Sequence, residues 1–305
     1  MTLAPHAFFM PAEQKPGGQR FCLFHAAQGQ PRGRVVYVAP FAEEMNKARR
    51  MAALQSRALA EAGFTVLQID LQGCGDSSGD FADASWQGWV SDVVLACRWL
   101  RDRNPEQAQL PLWLWGLRAG CLLATAAAAE LDEDCNFCFW QPVFSGKLAL
   151  TQFMRLKLAA EMANGSSGSG KSVMDRLHQH LEAGSGVEIA GYMLTAAVAT
   201  GLREAQLNPP PHTGGARAEW FDISAREDAV STPAAEQAAA QWRNASVPLR
   251  QHHVGGPAFW QTTEIEDAPA LIAATIAALT TPPALTSPAT PPQLSGSSAF
   301  TGVLA

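Results

Sequence analysis

The sequence predicts an α/β fold with a mainly parallel central sheet and helices on both faces, and three observations carry that expectation. Short apolar runs alternate along the chain with stretches whose apolar positions recur every three or four residues, the pattern of strands feeding crossover helices. The run Phe64-Thr65-Val66-Leu67-Gln68-Ile69-Asp70 passes straight into a loop with glycines at 73, 75 and 79, a tight turn at a strand's carboxyl end. Finally, Leu112-Trp113-Leu114-Trp115 breaks at Gly116, passes Arg118, and resumes after Gly120 as an alanine-rich helical stretch. Gly116-x-Arg118-x-Gly120 is a strand, a sharp turn and a helix, with small residues wherever a side chain would crowd the turn.

Taken in order, residues 6–10 and 20–25 form two strands of a hairpin around Lys15-Pro16-Gly17-Gly18. Residues 34–39 are the first central strand, apolar on both faces and ended by Pro40. A loop over 41–47 leads to a helix over 49–61, stopped by Ala62-Gly63, and residues 64–70 are the next buried strand. Ser85 caps a helix with apolar positions at 86, 89, 93, 94, 97 and 100. The strand–turn–helix at 112 follows, and then a strand over 136–143.

Between about 145 and 213 the alternation stops. Helical stretches at 148–162, 171–181 and 191–205, with a Gly/Ser tract at 164–170, read as a small helical cap inserted into the core. The core resumes with a strand at 218–223, a helix at 233–243, a last strand at 247–254 and a closing helix at 264–280. The expected division is therefore residues 1–144 and 214–280 for the core, 145–213 for the cap, and 281–305 for a Pro/Thr/Ser/Ala-rich tail expected to be disordered.

A formal net charge of -6 without a basic stripe argues against nucleic-acid binding. The six cysteines lack metal or disulfide-framework spacing and read as reduced core residues, Cys135 and Cys138 included. No cofactor or metal pattern is found. No stretch approaches the roughly 20 apolar residues that span a bilayer, and a soluble, cytoplasmic protein is expected.

The signals Asp70-x-x-Gly73-x-Gly75-x-Ser77-x-Gly79 and Trp115-Gly116-x-x-x-Gly120, in this order of elements, resemble the α/β-hydrolase superfamily over residues 6–280. At finer grain, Pro40-Phe41-Ala42-Glu43-Glu44-Met45-Asn46-Lys47, Trp140-Gln141-Pro142-Val143 with Ser145-Gly146-Lys147, and Gly256-Pro257-x-Phe259-Trp260 resemble the exosortase A system-associated hydrolase 2 family. That resemblance implies a bacterial cytoplasmic protein associated with exopolysaccharide production and the sorting of PEP-CTERM proteins.

Against the hydrolase pattern, Arg118 stands at the nucleophile position, Asp228 (with Glu227 beside it) at the acid position, and Ala258 in the histidine slot. Arginine carries no usable lone pair at neutral pH, so it is neither nucleophile nor base. His252 and His253 fall within the last strand, one expected packed and the other solvent-facing. Cys121 is expected in helix–sheet packing, and Ser77 and Ser145 lie on loops with no histidine nearby in sequence. The α/β-hydrolase resemblance implies that the strand at 34–39 lies beside the elbow strand, so the loop with Glu43 and Glu44 should overhang Arg118.

Two readings of that pair stand. It plugs a retired site, or Arg118, with Leu117, Glu43, Glu44, Asn46, Lys47 and Gln141 around it, receives an anionic ligand under the cap. The function classes are a non-catalytic binder of a small anion or of a component of exopolysaccharide assembly, an ester or thioester hydrolase with relocated groups, and a structural interaction protein.

Overall fold

A computed structural model describes residues 4–12, 18–163, 169–211, 215–226 and 231–282. The chain opens with β1 (His6–Pro11) and β2 (Gln19–His25), an antiparallel pair; the turn signal at 15–17 lies outside the described residues. The helix–strand alternation then runs β3 (Gly33–Val38), α1 (Glu43–Glu61), β4 (Phe64–Ile69), α2 (Trp86–Arg103), β5 (Leu112–Leu117), α3 (Gly120–Ala128) and β6 (Cys135–Trp140). Next come α4 (Gly146–Ala163), α5 (Gly170–Glu182), β7 (Val187–Ile189), β8 (Tyr192–Leu194) and α6 (Ala196–Glu204). Last are β9 (Ala218–Ser224), α7 (Pro233–Asn244), β10 (Leu249–Gly255) and α8 (Pro269–Thr280).

Eight strands form one sheet in the order β1-β2-β4-β3-β5-β6-β9-β10, antiparallel at the β1/β2/β4 end and parallel from β4 to β10. The inner strands β3 and β5 are buried at every residue, as continuous apolar runs require when both faces are covered. One apolar core lies between the sheet and α2, α3 and α7, and runs on into α4, α5 and α6. The other lies between the sheet and α1 and α8. Arg20 on β2 and Asp92 on α2 form an ion pair at 2.7 Å, and both are almost fully buried. Asp92 also accepts the Gln72 N–H, so the pair ties the sheet's antiparallel end to α2.

Five expected boundaries move. The strand expected to run to 143 ends at Trp140, before Gln141 in the left-handed region. Residues 43–47 are the first turn of α1 rather than a loop: Glu43 and Glu44 complement the helix's positive end while Met45 and Ala48 bury. Residues 191–194 are not helical. Ala190 (φ 50°) and Gly191 (φ 85°) make a two-residue turn joining β7 to β8, whose twist suits a hairpin. The last strand starts after Pro248, at Leu249, and the closing helix starts at Pro269, where a missing N–H costs nothing. Asp267 just before it is paired with Arg50 in a two-point contact at 2.7 and 2.8 Å.

Candidate functional site

The turn from β5 into α3 is as tight as the glycine spacing demands. A Cβ on Gly116 would lie 2.7 Å from the Cα of Cys121, and one on Gly120 would run into the Val38 and Ala39 carbonyls. Arg118 between them sits in the left-handed region at φ 55°, a conformation that costs a non-glycine residue roughly 1–3 kcal/mol and is kept where surrounding structure imposes it. Here the imposition is visible. The Arg118 N–H donates to the Trp140 carbonyl at 3.0 Å, and its own carbonyl accepts from Cys121 at 3.1 Å.

The turn lifts the Arg118 side chain into a cleft at the carboxyl ends of the strands. Two cavities of about 570 and 380 Å³ meet there, sharing Arg118, Val143 and Gln152. The Arg118 side chain is 14% exposed; its Nε donates to Glu44 Oε1 at 3.3 Å, an Nη donates to Gln152 Oε1 at 3.5 Å, and the guanidinium carbon lies 5.7 Å from the Trp260 ring centre. Glu44 does overhang Arg118, but through one contact rather than the fork that makes such pairs strong. Burial pushes the Glu44 carboxyl above its ordinary range, and the attraction of Arg118 recovers only part of that. Glu43 is raised for the same first reason, burial, and one of its oxygens is buried without a hydrogen bond.

The remaining expected site residues divide. Lys47 and Glu43 line the smaller cavity, where Lys47 donates to the Gln261 carbonyl at 3.3 Å. Gln141 (φ 42°) lines the larger one, its Oε1 accepting from the Ile223 N–H at 2.6 Å. Asn46 is turned away to donate to the Tyr192 hydroxyl at 3.0 Å, and the Leu117 side chain is packed in the core, so neither lines the cleft. Asp228 and Glu227 lie outside the described residues. Sequence reasoning missed Gln152 and Asp222; it named His253 only as a strand residue and Trp260 only within the motif at 256–260, and placed neither in the cleft. All four reach the cleft from elements distant in sequence.

His252 is committed elsewhere: its Nε2 lies 2.8 Å from Glu219, and its ring stacks on Phe221 at 4.6 Å. Glu219 is fully buried and also carries Arg250. His253 is half exposed and lines the larger cavity with Asp222, Nδ1 to Oδ2 4.0 Å, too long for a hydrogen bond. Burial raises the Asp222 carboxyl. Polar imidazole contacts among the described residues are His25–Gln68, His252–Glu219 and His253–Asp222, none to a serine or cysteine. The Ser77 hydroxyl is held between the Asp70 carbonyl and the Phe21 N–H, and Ser145 accepts from Gln206. Cys121 is fully buried and its thiol is pushed well above the ordinary range by burial, so it stays protonated and inert. Ala258, after β10, packs against the core.

A family model described as serine aminopeptidase, S33, matches residues 29–245, most of the chain and all of the strand–turn–helix around Arg118. The chain is a member of this α/β-hydrolase family. This S33-family chain is 30% identical over 116 residues to human Protein ABHD12B, a stretch covering 38% of the chain and 30% of that relative's length. Its fold is similar to that of Est1E from Butyrivibrio proteoclasticus, solved with ferulic acid bound (TM-score 0.62, 14% identity, 90% of this chain and 98% of that one). The α/β hydrolase GrgF from Penicillium sp. sh18 is similar as well (TM-score 0.59, 17% identity, 91% and 98%).

Proposed function

We propose that this S33-family chain is a non-catalytic hydrolase-fold protein that holds a small anion on Arg118. The observation that carries the reading is the side chain at the elbow: a permanent cation, fixed in a left-handed turn and aimed into a cleft, where the fold ordinarily presents a nucleophile. Supporting it, no serine or cysteine meets an imidazole among the described residues, and the expected histidine slot in the loop after β10 holds Ala258. Residues 145–213 serve as a cap in this reading, since α4 contributes Gln152 and Phe153 to the cleft. Following the resemblance of residues 40–47, 140–147 and 256–260, the reading places the protein in the cytoplasm of a bacterium, binding an anion or a component of exopolysaccharide assembly in the exosortase/PEP-CTERM system. Six unpaired cysteines agree with a reducing compartment.

The test is a turnover screen on purified protein with carboxylic esters and thioesters, alongside Arg118→Ser. The reading expects no enzyme-dependent hydrolysis from either, because restoring the hydroxyl does not restore its base. Turnover by the wild type would overturn it. A second reading is favoured by one observation: His253 and Asp222 share the larger cavity, where an imidazole could activate water. It expects ester hydrolysis that survives Arg118→Ala and is lost in His253→Gln.

A further inference from the structure

The sheet ends in two edge strands, β1 and β10, and their chemistry differs. β10 carries Arg250, Gln251, His252 and His253 in succession, a polar edge headed by a cation, which discourages pairing with another chain. β1 has no such guard. Its residues His6-Ala7-Phe8-Phe9-Met10 include no Lys, Arg, Asp or Glu, and proline enters only at position 11. β2 pairs with one side of β1, and among the described residues no strand pairs with the other. Both faces along that edge are apolar. On one, Phe8 stacks on Trp99 of α2 at 4.7 Å; on the other, Phe9, 51% exposed, lies edge-on to Phe21 at 5.5 Å.

A second copy of β1 fits this edge. A two-fold axis through Phe8, perpendicular to the sheet, pairs residues 6–10 antiparallel with their counterparts and leaves Pro11, which has no N–H to donate, outside the ladder. It sets each Phe9 across from an Ala7, large against small, and each Met10 across from a His6, with no like charges opposed. The flanking helix is complementary to itself as well. Because Phe8 packs on Trp99, the axis passes level with Trp99, and the two copies of α2 run in opposite directions beside it. Arg98 and Asp102, one turn apart on either side of Trp99, border a groove of about 630 Å³ with Met10 and Pro11. The axis therefore turns Arg98 of each copy toward Asp102 of the other. Within one chain their partners are Asp132 at 3.9 Å and Arg101 at 3.3 Å, exposed pairs whose exchange costs little.

We infer that the chain forms a two-fold homodimer through β1, joining two eight-stranded sheets edge to edge, with Arg98 and Asp102 fixing the register. The interface lies at the opposite edge of the sheet from β10 and His253, and it does not depend on the anion-binding reading of Arg118.

The experiment is sedimentation velocity of the full chain across micromolar to submillimolar concentrations. A reversible equilibrium between the chain and twice its mass is expected. Phe9→Lys is expected to weaken it at least about tenfold, since each interface then carries two added cations on an apolar edge. Phe9 is exposed, so the variant should melt as the wild type does, and Ile265→Lys, a charge placed on an exposed apolar residue outside β1 and α2, leaves the dimer constant unchanged. Arg98→Asp is expected to weaken the dimer about threefold or more, and Asp102→Arg in the same chain to restore it, a rescue that a loss of folding would not show. A chain that stays monomeric at every concentration overturns the interface. A dimer untouched by Phe9→Lys overturns its placement on β1, and one that the charge swap fails to rescue overturns the axis through Phe8.

Discussion

At the scale of single residues, the cleft turns on a balance between Arg118 and Glu44. The pair is mostly buried yet joined by one 3.3 Å contact, with Gln152 and the Trp260 ring as the other partners of Arg118 and Gln261 as that of Glu44, so the only opposite charge each touches is the other. Replacing Arg118 with glutamine strands the Glu44 carboxylate. We expect a loss of about 1–2 kcal/mol in urea unfolding at pH 8, the worth of one charged hydrogen bond discounted for its exposure. Because burial holds the folded-state Glu44 carboxyl above its unfolded value, Glu44 takes up a proton as pH falls through the folded value, and the stranded charge vanishes. The deficit of Arg118→Gln should therefore shrink toward acid; one that grows on acidification would contradict the assignment. The same proton releases Arg118. Affinity for a sulfonate, whose own charge is constant, should rise as pH falls, and Glu44→Gln should raise it several-fold at pH 8 and reduce the pH dependence to what Asp222 and His253, the other titratable groups lining the cleft, contribute.

At the scale of elements, the elbow was legible because its demands are local. Glycines at 116 and 120 are required by backbone contacts within a few residues and by the neighbouring strand, so the spacing in sequence sufficed to locate the turn and to single out Arg118. Gly120→Ala should cost about 1–3 kcal/mol in the same unfolding measurement, since its Cβ meets the fixed carbonyls of Val38 and Ala39 rather than a movable side chain. An unchanged midpoint would mean that the turn is looser than described. The Glu44 placement was legible only through the α/β-hydrolase resemblance, which implies that the strand before Glu44 lies beside the elbow strand, as β3 and β5 do. The β7–β8 hairpin was hidden because the alanine-rich stretch after it carries a helical pattern into residues whose turn is set by Ala190 and Gly191. Gln152 was hidden for another reason: it matters through its position on α4 over the cleft, and nothing in residues 148–156 records what lies beneath them.

At the scale of the whole molecule, the sheet supplies rigidity and the segment between β6 and β9 shapes the site. Strands β3, β5 and β6 lie at the centre of the sheet and pack into both cores, whereas β1 and β10 are edge strands with exposed residues. Native-state hydrogen exchange should find the amides of β3, β5 and β6 exchanging only through global unfolding, with β1 and β10 opening earlier; edge strands as protected as the centre would contradict this ordering. The elbow is fixed by backbone contacts to the neighbouring strands, the Arg118 N–H to the Trp140 carbonyl and the close approach of Gly120 to Val38 and Ala39, rather than by the side chain at 118. The most direct measurement is calorimetric titration of a short sulfonate, such as ethanesulfonate, into the wild type and Arg118→Gln at neutral pH. The account predicts saturable one-to-one binding by the wild type that disappears in the variant. Equal binding by both proteins would contradict it.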